Sequence, residues 1–338
     1  MKCKVCKGHA VVDVRRHNAG FCKDHFLDHV RNQVAKTIKE FSMFAPEDRL
    51  LIAVSGGKDS LALWDLLLDL GYDATGFYLD LGIGGYSTRS KDASIAFAEQ
   101  RGAKLIVRSL GEEHGYTVPE LAKLTGRVPC SGCGLNKRYE FNRAALEEGF
   151  DVLVTGHNLD DEVATLFGNV LHWNTDQLGR QAPVLEERLI GDGPEPVLVR
   201  KVKPLVRIAE RESAAYALLR GIDYVIEECP MVEGNVQHRY KEAIALLEEA
   251  SPGTKHQMYF GFLKKAAGRF AGADDEATIV RCTTCGAPTI DWGQEDPQCS
   301  FCKTKALALR RKETGELPRP RRSRKKTAGR PGDPPRTG

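Results

Sequence analysis

Six consecutive residues, Ser55-Gly56-Gly57-Lys58-Asp59-Ser60, place two glycines, a cation, a carboxylate and two hydroxyl groups in one short stretch. The apolar run Leu50–Val54 precedes them, and a second apolar run, Leu61–Leu70, follows. This pattern predicts a strand, a tight turn and a helix, with backbone N–H groups of the turn at a helix N-terminus, where they can bind phosphate. The stretch is not a Walker A loop, because Ile52 and Asp59 stand where that motif needs glycine and Ser or Thr. An ordinary glycine-rich turn is the alternative.

The 10 cysteines of the chain separate by spacing into three groups. A histidine completes the first group, near the N-terminus; the second group lies in the middle, and the third lies near the C-terminus. The members are Cys3, Cys6, Cys22 and His25 in the first group, Cys130, Cys133 and Cys229 in the second, and Cys282, Cys285, Cys299 and Cys302 in the third. A disulfide framework is not expected, because a chain of this size without a signal peptide is predicted to be cytoplasmic, where thiols stay reduced.

The first and third groups have the paired spacing of structural zinc sites. Three thiolates with one imidazole, or four thiolates, complete a tetrahedral set for one Zn²⁺. A short polar segment such as residues 1–29 has little other means of folding. We therefore predict two Zn²⁺ ions, one in an N-terminal zinc finger and one in a C-terminal zinc ribbon. Unconnected surface thiols are the alternative for the first group.

The middle group does not form a third zinc knuckle, because no second Cys-x2-Cys or Cys-x2-His pair lies near Cys130 and Cys133. This pair follows Pro129 at a predicted helix start, where the pKa of a thiol is lowered. The thiolate form is then favoured, and this form ligates metals and takes part in redox chemistry. The nearest remaining thiol is Cys229, which stands alone before Pro230. Three interpretations stay open: an iron–sulfur cluster with one iron free of cysteine, a redox pair with a persulfide carrier, and buried structural thiols.

A group of carboxylates follows the apolar run Val152–Thr155, in Gly156-His157-Asn158-Leu159-Asp160-Asp161-Glu162. Acidic residues at a helix start can simply cap the helix and interact favourably with its dipole. Their place after a strand of a parallel sheet also suits a Mg²⁺ ion or a substrate group. Both interpretations remain open from these residues.

Strands and helices alternate over the central part of the chain, which predicts an α/β fold with a doubly wound parallel sheet. Strands are predicted at Leu50–Val54, Thr75–Leu79, Leu105–Val107, Val152–Thr155, Val202–Ile208 and Tyr224–Ile226, and helices at Ser60–Leu70, Thr88–Arg101, Pro129–Glu148 and Glu210–Arg220. Residues 80–86 are too rich in glycine for regular structure. Ligands of such sheets lie at the C-terminal ends of the strands, so the phosphate turn and the loop after Leu79 should face one cleft.

Five segments are predicted: an N-terminal zinc finger (1–29), a helical connector (30–48), the α/β domain (49–270), the zinc ribbon (278–303) and a basic tail without packed structure (304–338), with a linker at 271–276. Residues 303–338 hold 13 Lys or Arg against 3 Asp or Glu, although the net charge of the chain is only +3. This tail indicates either a polyanionic partner or a solubilising terminus. The basic run 238–241, on a later helix, could contact nucleic acid or face solvent. No apolar run approaches the ~20 residues of a membrane span, so no membrane association is expected.

Taken in chain order, the motifs are the Cys-x2-Cys…Cys-x2-His finger, SGGKDS, DLGIG, PCSGCGLNKR, TGHNLDDE, Cys229-Pro230 and the zinc ribbon. This combination, over nearly all of residues 1–302, resembles the TtuA-type tRNA 2-thiouridine synthetases. These belong, with the TtcA proteins, to the N-type PP-loop ATP pyrophosphatases. The combination is far more specific than any single motif. The basic tail has no counterpart in the family pattern.

The resemblance implies a reaction. ATP would adenylate the C2 oxygen of a tRNA uridine, and a [4Fe-4S] cluster on Cys130, Cys133 and Cys229 would handle the sulfur that replaces it. A ubiquitin-like carrier protein with a C-terminal thiocarboxylate, or free sulfide, would supply that sulfur to a homodimeric enzyme. The implied target is the ribothymidine at position 54 of the tRNA T-loop. The alternative is the wobble uridine, which related proteins modify.

The same resemblance makes Lys137 and Asp161 the catalytic residues. The carboxylates of Asp59 and Asp161 could hold Mg²⁺, and Asp161 could instead position or deprotonate a reacting group. The expected ATP contacts are Ala53, Ser55, Gly56, Gly57, Lys58, Asp59, Ser60, Leu79 and Gly156. Two other classes of protein would explain part of the pattern. A PP-loop ligase that forms a C–N bond would have no use for the middle cysteines, and a zinc-ribbon nucleic-acid-binding protein would have no use for the phosphate turn.

Overall fold

The computed structural model describes residues 1–190, 196–232, 236–270 and 278–318. In chain order its elements are β1 (Val12–Val14), β2 (Ala19–Phe21), α1 (Lys23–Glu40), β3 (Leu50–Val54), α2 (Lys58–Asp69), β4 (Ala74–Asp80), α3 (Gly84–Arg101), β5 (Leu105–Ser109), α4 (Leu110–His114), α5 (Val118–Thr125), α6 (Pro129–Glu147), β6 (Val152–Thr155), α7 (Leu159–Leu171), α8 (Thr175–Gly179), β7 (Val184–Leu185), β8 (Arg200–Val202), α9 (Glu210–Leu219), α10 (Val236–Ala250), α11 (Thr254–Lys265), β9 (Ile279–Arg281), β10 (Pro288–Ile290) and α12 (Ser300–Thr314). None of the described helices is both long and apolar enough to cross a bilayer.

Six strands form one sheet in the order β5-β4-β3-β6-β8-β7. Neighbouring strands run parallel, except β7 against β8 at the edge. β3 lies between β4 and β6, with Val54 opposite Tyr78 and Ala53 opposite Thr155. The chain therefore winds outward from β3 in both directions. This confirms the predicted doubly wound parallel sheet and places its switch point at the C-terminal end of β3.

Both faces of β3 are covered, which explains its uninterrupted apolar sequence. Leu50, Ile52 and Val54 belong to a buried cluster that includes residues of α1, α2 and α9, whereas Leu51 belongs to a second cluster that includes residues of α5, α6 and α12. Successive residues of a strand point to opposite faces, so the two clusters are the two layers around the sheet. Close packing on both sides fixes the strand ends that carry the phosphate turn.

Helix α3 starts earlier than predicted. It begins at Gly84 rather than Thr88, so the prediction that residues 80–86 hold no regular structure is wrong from Gly84 onward. The Ser87 side chain accepts a hydrogen bond from the Ile83 N–H (2.9 Å), which satisfies a donor at the helix start. This local cap offsets the glycine content.

Two of the later strand predictions are wrong. The strand predicted over 202–208 ends after its first residue, because Pro204 has no N–H for a ladder and opens a 3₁₀ turn. The segment 224–226 forms no strand. Val225 instead donates a hydrogen bond to the Gly56 carbonyl (2.9 Å), which attaches this segment to the phosphate turn.

The first part of the predicted basic tail is packed. α12 runs through it, and Ala308 is fully buried in the second cluster. Arg311 donates to the Leu124 carbonyl near the end of α5 (2.7 Å), because cations satisfy the free carbonyls of a helix C-terminus. The tail prediction is therefore wrong over 304–314. The rest of the tail from residue 319 onward and the whole predicted linker 271–276 lie outside the described residues.

The N-terminal finger packs onto the α/β domain. Phe21 of its hairpin and Phe26 of α1 lie in the first buried cluster together with β3. Arg16 forms an ion pair with Glu212 of α9 (3.0 Å), and the two side chains are only 7% and 8% exposed. α1 starts within the finger and continues into the predicted connector 30–48. The finger and the sheet thus share one core.

Asp65 of α2 is a buried carboxylate that joins three elements. It accepts hydrogen bonds from Arg101 of α3 (2.6 Å), from Arg220 after α9 (2.7 Å) and from the Tyr216 hydroxyl (2.7 Å). Burial alone would raise its pKa, but the hydrogen bonds and the two cations lower it. The ionised carboxylate therefore stabilises the position of α2, the helix that begins at the phosphate turn.

We predict that Asp65→Ala lowers the free energy of unfolding by about 3 kcal/mol at neutral pH, because it leaves two arginines and a buried hydroxyl without their acceptor. A carboxylate with a lowered folded pKa contributes stability above its unfolded pKa, about 3.9, and loses it as the pH falls through the folded value. Urea denaturation should therefore show a smaller difference at about pH 3 than at neutral pH. Tyr216→Phe removes one hydrogen bond and no charge, and should cost about 1 kcal/mol. Equal stability of Asp65→Ala and wild type at neutral pH would contradict this role.

Candidate functional site

The phosphate turn has the strand–turn–helix geometry that its sequence predicts, between β3 and α2. Ser60 Oγ accepts the Ser55 N–H (3.2 Å) and donates to the Gly57 carbonyl (3.0 Å), which closes the turn on itself. α2 begins at Lys58, and none of the described side chains caps its N-terminus. Free N–H groups at a helix N-terminus form an anion site, so the turn can receive phosphate oxygens.

Two glycines of the expected ATP site are required by the packing of the turn. Gly56 has φ +72°, in the left-handed region, and a Cβ there would lie 2.4 Å from the Ser90 carbonyl oxygen. Gly156, after β6, approaches the turn from the other side, where a Cβ would lie 3.1 Å from the Ser60 backbone. The turn is therefore enclosed by backbone on two sides.

The strand residues expected to contact ATP lie at the C-terminal edge of the sheet. Ala53 is half-buried near the end of β3, and Leu79 is buried near the end of β4. Parallel sheets place their ligands at this edge, beside the switch point. Both positions suit a nucleotide, and their contact with ATP stays a prediction.

Five charged side chains from four helices meet beside the turn. Lys58 contacts its neighbour Asp59 (3.2 Å) and Glu210 of α9 (2.8 Å). Lys241 of α10 contacts Asp161 of α7 (2.6 Å) and the other oxygen of Glu210 (3.1 Å). Burial opposes ionisation of Glu210, but the hydrogen bond from Lys58 and the charge of Lys241 lower its pKa to about 2. Glu210 is therefore the anion that connects the two lysines.

Asn158 joins the N-termini of α2 and α7. Its Oδ1 accepts the Asp161 N–H (3.1 Å), and the Asp161 carboxylate accepts the Asn158 N–H (3.1 Å), which is a capping box. Asn158 Nδ2 also donates to Asp59 Oδ1 (3.1 Å). Burial raises the pKa of Asp59 in spite of the neighbouring Lys58. The capping interpretation is thus confirmed for Asp161, and the binding of Mg²⁺ by these carboxylates stays a prediction.

Sequence reasoning missed three members of this network. Asn158 stands inside the TGHNLDDE motif, and an asparagine before two acids is a helix-cap signal that could have identified it. Glu210 carries only the signal of a helix start. Lys241 belongs to the basic run 238–241, where the structure turns it toward Asp161 instead of toward solvent alone.

The three middle cysteines lie close together in the fold. Cys130 and Cys133 lie in the first turns of α6, and Cys130 Sγ contacts the Met231 carbonyl (3.5 Å), two residues beyond Cys229. Cys133 and Cys229 both pack against the second buried cluster. Burial raises the pKa of Cys133, and the charge of Lys137, one turn later, opposes this rise. The structure thus brings together residues that are almost a hundred positions apart.

The middle thiols are not assembled as the ligands of a single metal ion. Among the described residues, only the two predicted zinc sets have three or more donor atoms all within 4.8 Å of one another. Each cysteine of a cubane cluster binds a different iron, so its sulfurs stand further apart than the ligands of one ion. Three half-buried thiols would leave one iron without a cysteine.

Both predicted zinc sets are assembled. In the first set, Cys22 Sγ and Cys3 Sγ lie 3.1 Å and 3.6 Å from His25 Nδ1. In the second set, Cys285 Sγ and Cys299 Sγ lie 3.7 Å apart. The full sets are Cys3, Cys6, Cys22 and His25, and Cys282, Cys285, Cys299 and Cys302. Each set can hold one metal ion.

The charges of several lysines act on His157, which follows β6. Burial and the nearby Lys201 and Lys203 lower the pKa of His157 to about 4. Burial and the charge of Lys203 also lower the pKa of Lys201, to about 8. Lys203 is paired with Glu162 (2.8 Å), while the charge of Lys137 also reaches His157. The surplus of positive charge suits an anionic substrate.

We predict that Gly56→Ala destabilises the protein by at least about 2 kcal/mol, because the left-handed φ and the contact with Ser90 both oppose a Cβ. Gly57→Ala is the matched control, since Gly57 has φ −91° and the nearest atom to its Cβ would be 3.5 Å away. It should change the stability by less than about 1 kcal/mol. Urea unfolding without nucleotide measures both. Equal stability of the two variants would contradict the conformation of the turn.

Comparison with known proteins agrees with this geometry. The family model described as a PP-loop domain matches residues 27–241, and the model described as the N-terminal LIM domain of the 2-thiouridine synthetase TtuA matches residues 2–27. The solved structure of the U34-tRNA thiolase NcsA from Methanococcus maripaludis with its [4Fe-4S] cluster is similar, with 27% identity and a TM-score of 0.68 over 78% of this chain and 87% of that one.

Several curated relatives are named tRNA-5-methyluridine(54) 2-sulfurtransferase. The protein of Thermus thermophilus is 46% identical over 94% of this chain and 95% of its own length. That of Pyrococcus horikoshii is 38% identical over 90% of this chain and 93% of its own length. With the PP-loop domain, the TtuA-type N-terminal domain and this similarity over almost the whole sequence, the chain belongs to the tRNA-5-methyluridine(54) 2-sulfurtransferase family of PP-loop proteins.

Proposed function

We propose that the chain catalyses the ATP-dependent 2-thiolation of 5-methyluridine at position 54 of tRNA. The hydrogen bond from the Val225 N–H to the Gly56 carbonyl (2.9 Å) carries the proposal. It ties the phosphate turn to the segment that leads to Cys229, so a phosphate site and a thiol site share one edge of the sheet. A PP-loop ligase that forms a C–N bond would not need the thiol site. A non-catalytic nucleic-acid-binding protein would not need the phosphate site.

The reaction requires both sites because a uridine carbonyl is a poor electrophile. Attack of its C2 oxygen on the α-phosphorus of ATP breaks the bond to pyrophosphate and adenylates the oxygen. Sulfur then bonds to C2, and AMP leaves with the former carbonyl oxygen. The N–H groups of residues 55–60 and the Lys58 ammonium would stabilise the negative charge that develops on pyrophosphate.

The roles of the other predicted site residues are inferred from where they lie and from their chemistry. Asp59 and Asp161 would hold Mg²⁺, which prefers carboxylate oxygens and accompanies ATP. The charge of Lys137 acts on both Cys133 and His157. Lys137 would stabilise charge on the activated nucleotide, while Asp161 would position or deprotonate a reacting group. A [4Fe-4S] cluster on the three middle cysteines would supply an iron free of cysteine to hold the incoming sulfur.

The target and partners are inferred from the relatives. Those at 46% and 38% identity are named for position 54, whereas the structural neighbour at 27% identity is named for U34. The higher identities favour position 54 over the wobble uridine. A ubiquitin-like carrier with a thiocarboxylate, or free sulfide, would deliver the sulfur to a homodimer in the cytoplasm.

Zn²⁺ in both outer sets is part of the proposal. We predict about two zinc ions per chain in anaerobically purified protein, because each set supplies four ligands. Cys299→Ser should lower this to about one, since it removes a ligand of the ribbon only. Mass spectrometry of the metals checks both numbers. Protein that folds and works with zinc in neither set would contradict the assignment.

The function is tested with anaerobic, cluster-reconstituted protein, ATP, sulfide and tRNA that lacks the 2-thio group. Nucleoside mass spectrometry should find 2-thio-5-methyluridine from position 54, with AMP and pyrophosphate formed in equal amounts. If the tRNA gains no 2-thio group in the presence of ATP and an intact cluster, the proposal is contradicted. Sulfur at the wobble position would instead establish the alternative target.

Cys229→Ser separates the two halves of the site. We predict that it loses the iron–sulfur absorption and thiolates tRNA at less than about one hundredth of the wild-type rate, because a cluster ligand is missing. Its affinity for ATP should not change, since the phosphate turn contains no thiol. Thiolation at the full rate by iron-free protein, with a sulfane sulfur on a cysteine, would contradict the cluster mechanism and support a persulfide mechanism.

A further inference from the structure

We propose that Lys241 is a second phosphate-binding lysine of the ATP site, and that Glu210 is an internal anion that the ATP phosphates replace. The inference rests on the proposed function, because it takes ATP to bind at the phosphate turn. It adds a residue of α10 that no motif of the sequence marks, and it assigns a role to the acid between the two lysines.

The geometry of Glu210 carries the inference. Its Oε1 lies 2.8 Å from Lys58 Nζ, and its Oε2 lies 3.1 Å from Lys241 Nζ. Two ammonium groups that fit the two oxygens of one carboxylate also fit two oxygens of one phosphate group, which is another compact anion with adjacent acceptors. Because Lys58 begins the helix of the phosphate turn, Lys241 lies within reach of the same bound phosphate.

The charges explain why the carboxylate must leave when ATP binds. Lys58 and Lys241 face three carboxylates, those of Asp59, Asp161 and Glu210, so the network has one surplus negative charge. The neighbouring Asp160 does not change this balance, since it is paired with a lysine of α11. Mg²⁺ on Asp59 and Asp161 would offset the charges of those two acids. Glu210 would still compete with a phosphate group for both ammonium groups, and its displacement frees them.

Glu210 can move while Lys241 stays. Glu210 is the first residue of α9, and its backbone N–H is held by Asp160 (2.9 Å). Its side chain is 36% exposed, so a change of rotamer takes the carboxylate to solvent without moving the helix. Lys241 has a second partner, Asp161 at 2.6 Å, which keeps the ammonium at the site after Glu210 leaves.

The test is calorimetric titration of anaerobic full-length protein with ATP and with pyrophosphate, in the presence of Mg²⁺ and without tRNA or sulfide. Lys241→Met should weaken binding of both by at least about tenfold, because a charge-assisted hydrogen bond to phosphate is lost. Arg239→Met is the matched control: it removes an exposed cation from the same helix and should bind both as wild type does. Lys241→Arg should retain most of the affinity, and thermal denaturation checks that each variant is folded.

Glu210→Gln tests the displacement independently. It keeps the shape of the side chain but removes the competing charge, so it should bind ATP about threefold more tightly or better. ATP affinity of folded Lys241→Met within about twofold of wild type would overturn the role of Lys241. Weaker ATP binding by Glu210→Gln would overturn the replacement of Glu210 by the ATP phosphates. If the wild-type protein binds no ATP, the proposed function is contradicted as well. If the wild type binds ATP and thiolates tRNA but the variants do not behave as expected, only this inference fails.

Discussion

The site is built where the N-termini of α2 and α7 approach each other at the end of β3. The hydrogen bond from Asn158 to Asp59 (3.1 Å) joins these two ends. Helix N-termini carry partial positive charge, so their approach requires anions close by. Asp59 and Asp161, each in the first turn of its helix, provide them. Lys58 pairs with Asp59 and Lys241 with Asp161, and the N–H groups of the turn are left for a ligand.

The second half of the site depends on α6. Pro129 starts this helix, as proline at a first helical position often does, and both thiols of its Cys-x2-Cys pair lie in the opening turns. One face of α6 carries Cys133 and Lys137, while Tyr139 stacks on Phe301 of α12, with ring centroids 3.6 Å apart. The cysteine ligands of the ribbon lie in the same buried group as Phe301. The zinc ribbon therefore supports the helix that presents the middle cysteines.

The parts that were predictable from the sequence are those that burial or spacing dictates. β3 and β6 have their predicted bounds, because strands buried on both faces are unbroken apolar runs. The metal sets and the phosphate turn follow from fixed spacing. The contact of Glu210 with Lys241 could not be predicted. Glu210 shows only the signal of a helix start and Lys241 only a basic run, and tertiary packing determines which residues they contact. The packed part of the tail could not be predicted either. Its basic composition is typical of an unpacked terminus, and tertiary packing brings Ala308 into the second cluster.

The N-terminal finger reaches the phosphate turn through α9. Arg16 pairs with Glu212 (3.0 Å) and donates to the Arg207 carbonyl (2.6 Å). The same Glu212 oxygen accepts the Ala209 N–H (2.9 Å) and so caps the helix whose first residue is Glu210. Removing one partner of a buried ion pair leaves an uncompensated charge, so loss of Arg16 would loosen the start of α9. The finger thus supports the carboxylate that connects the two lysines.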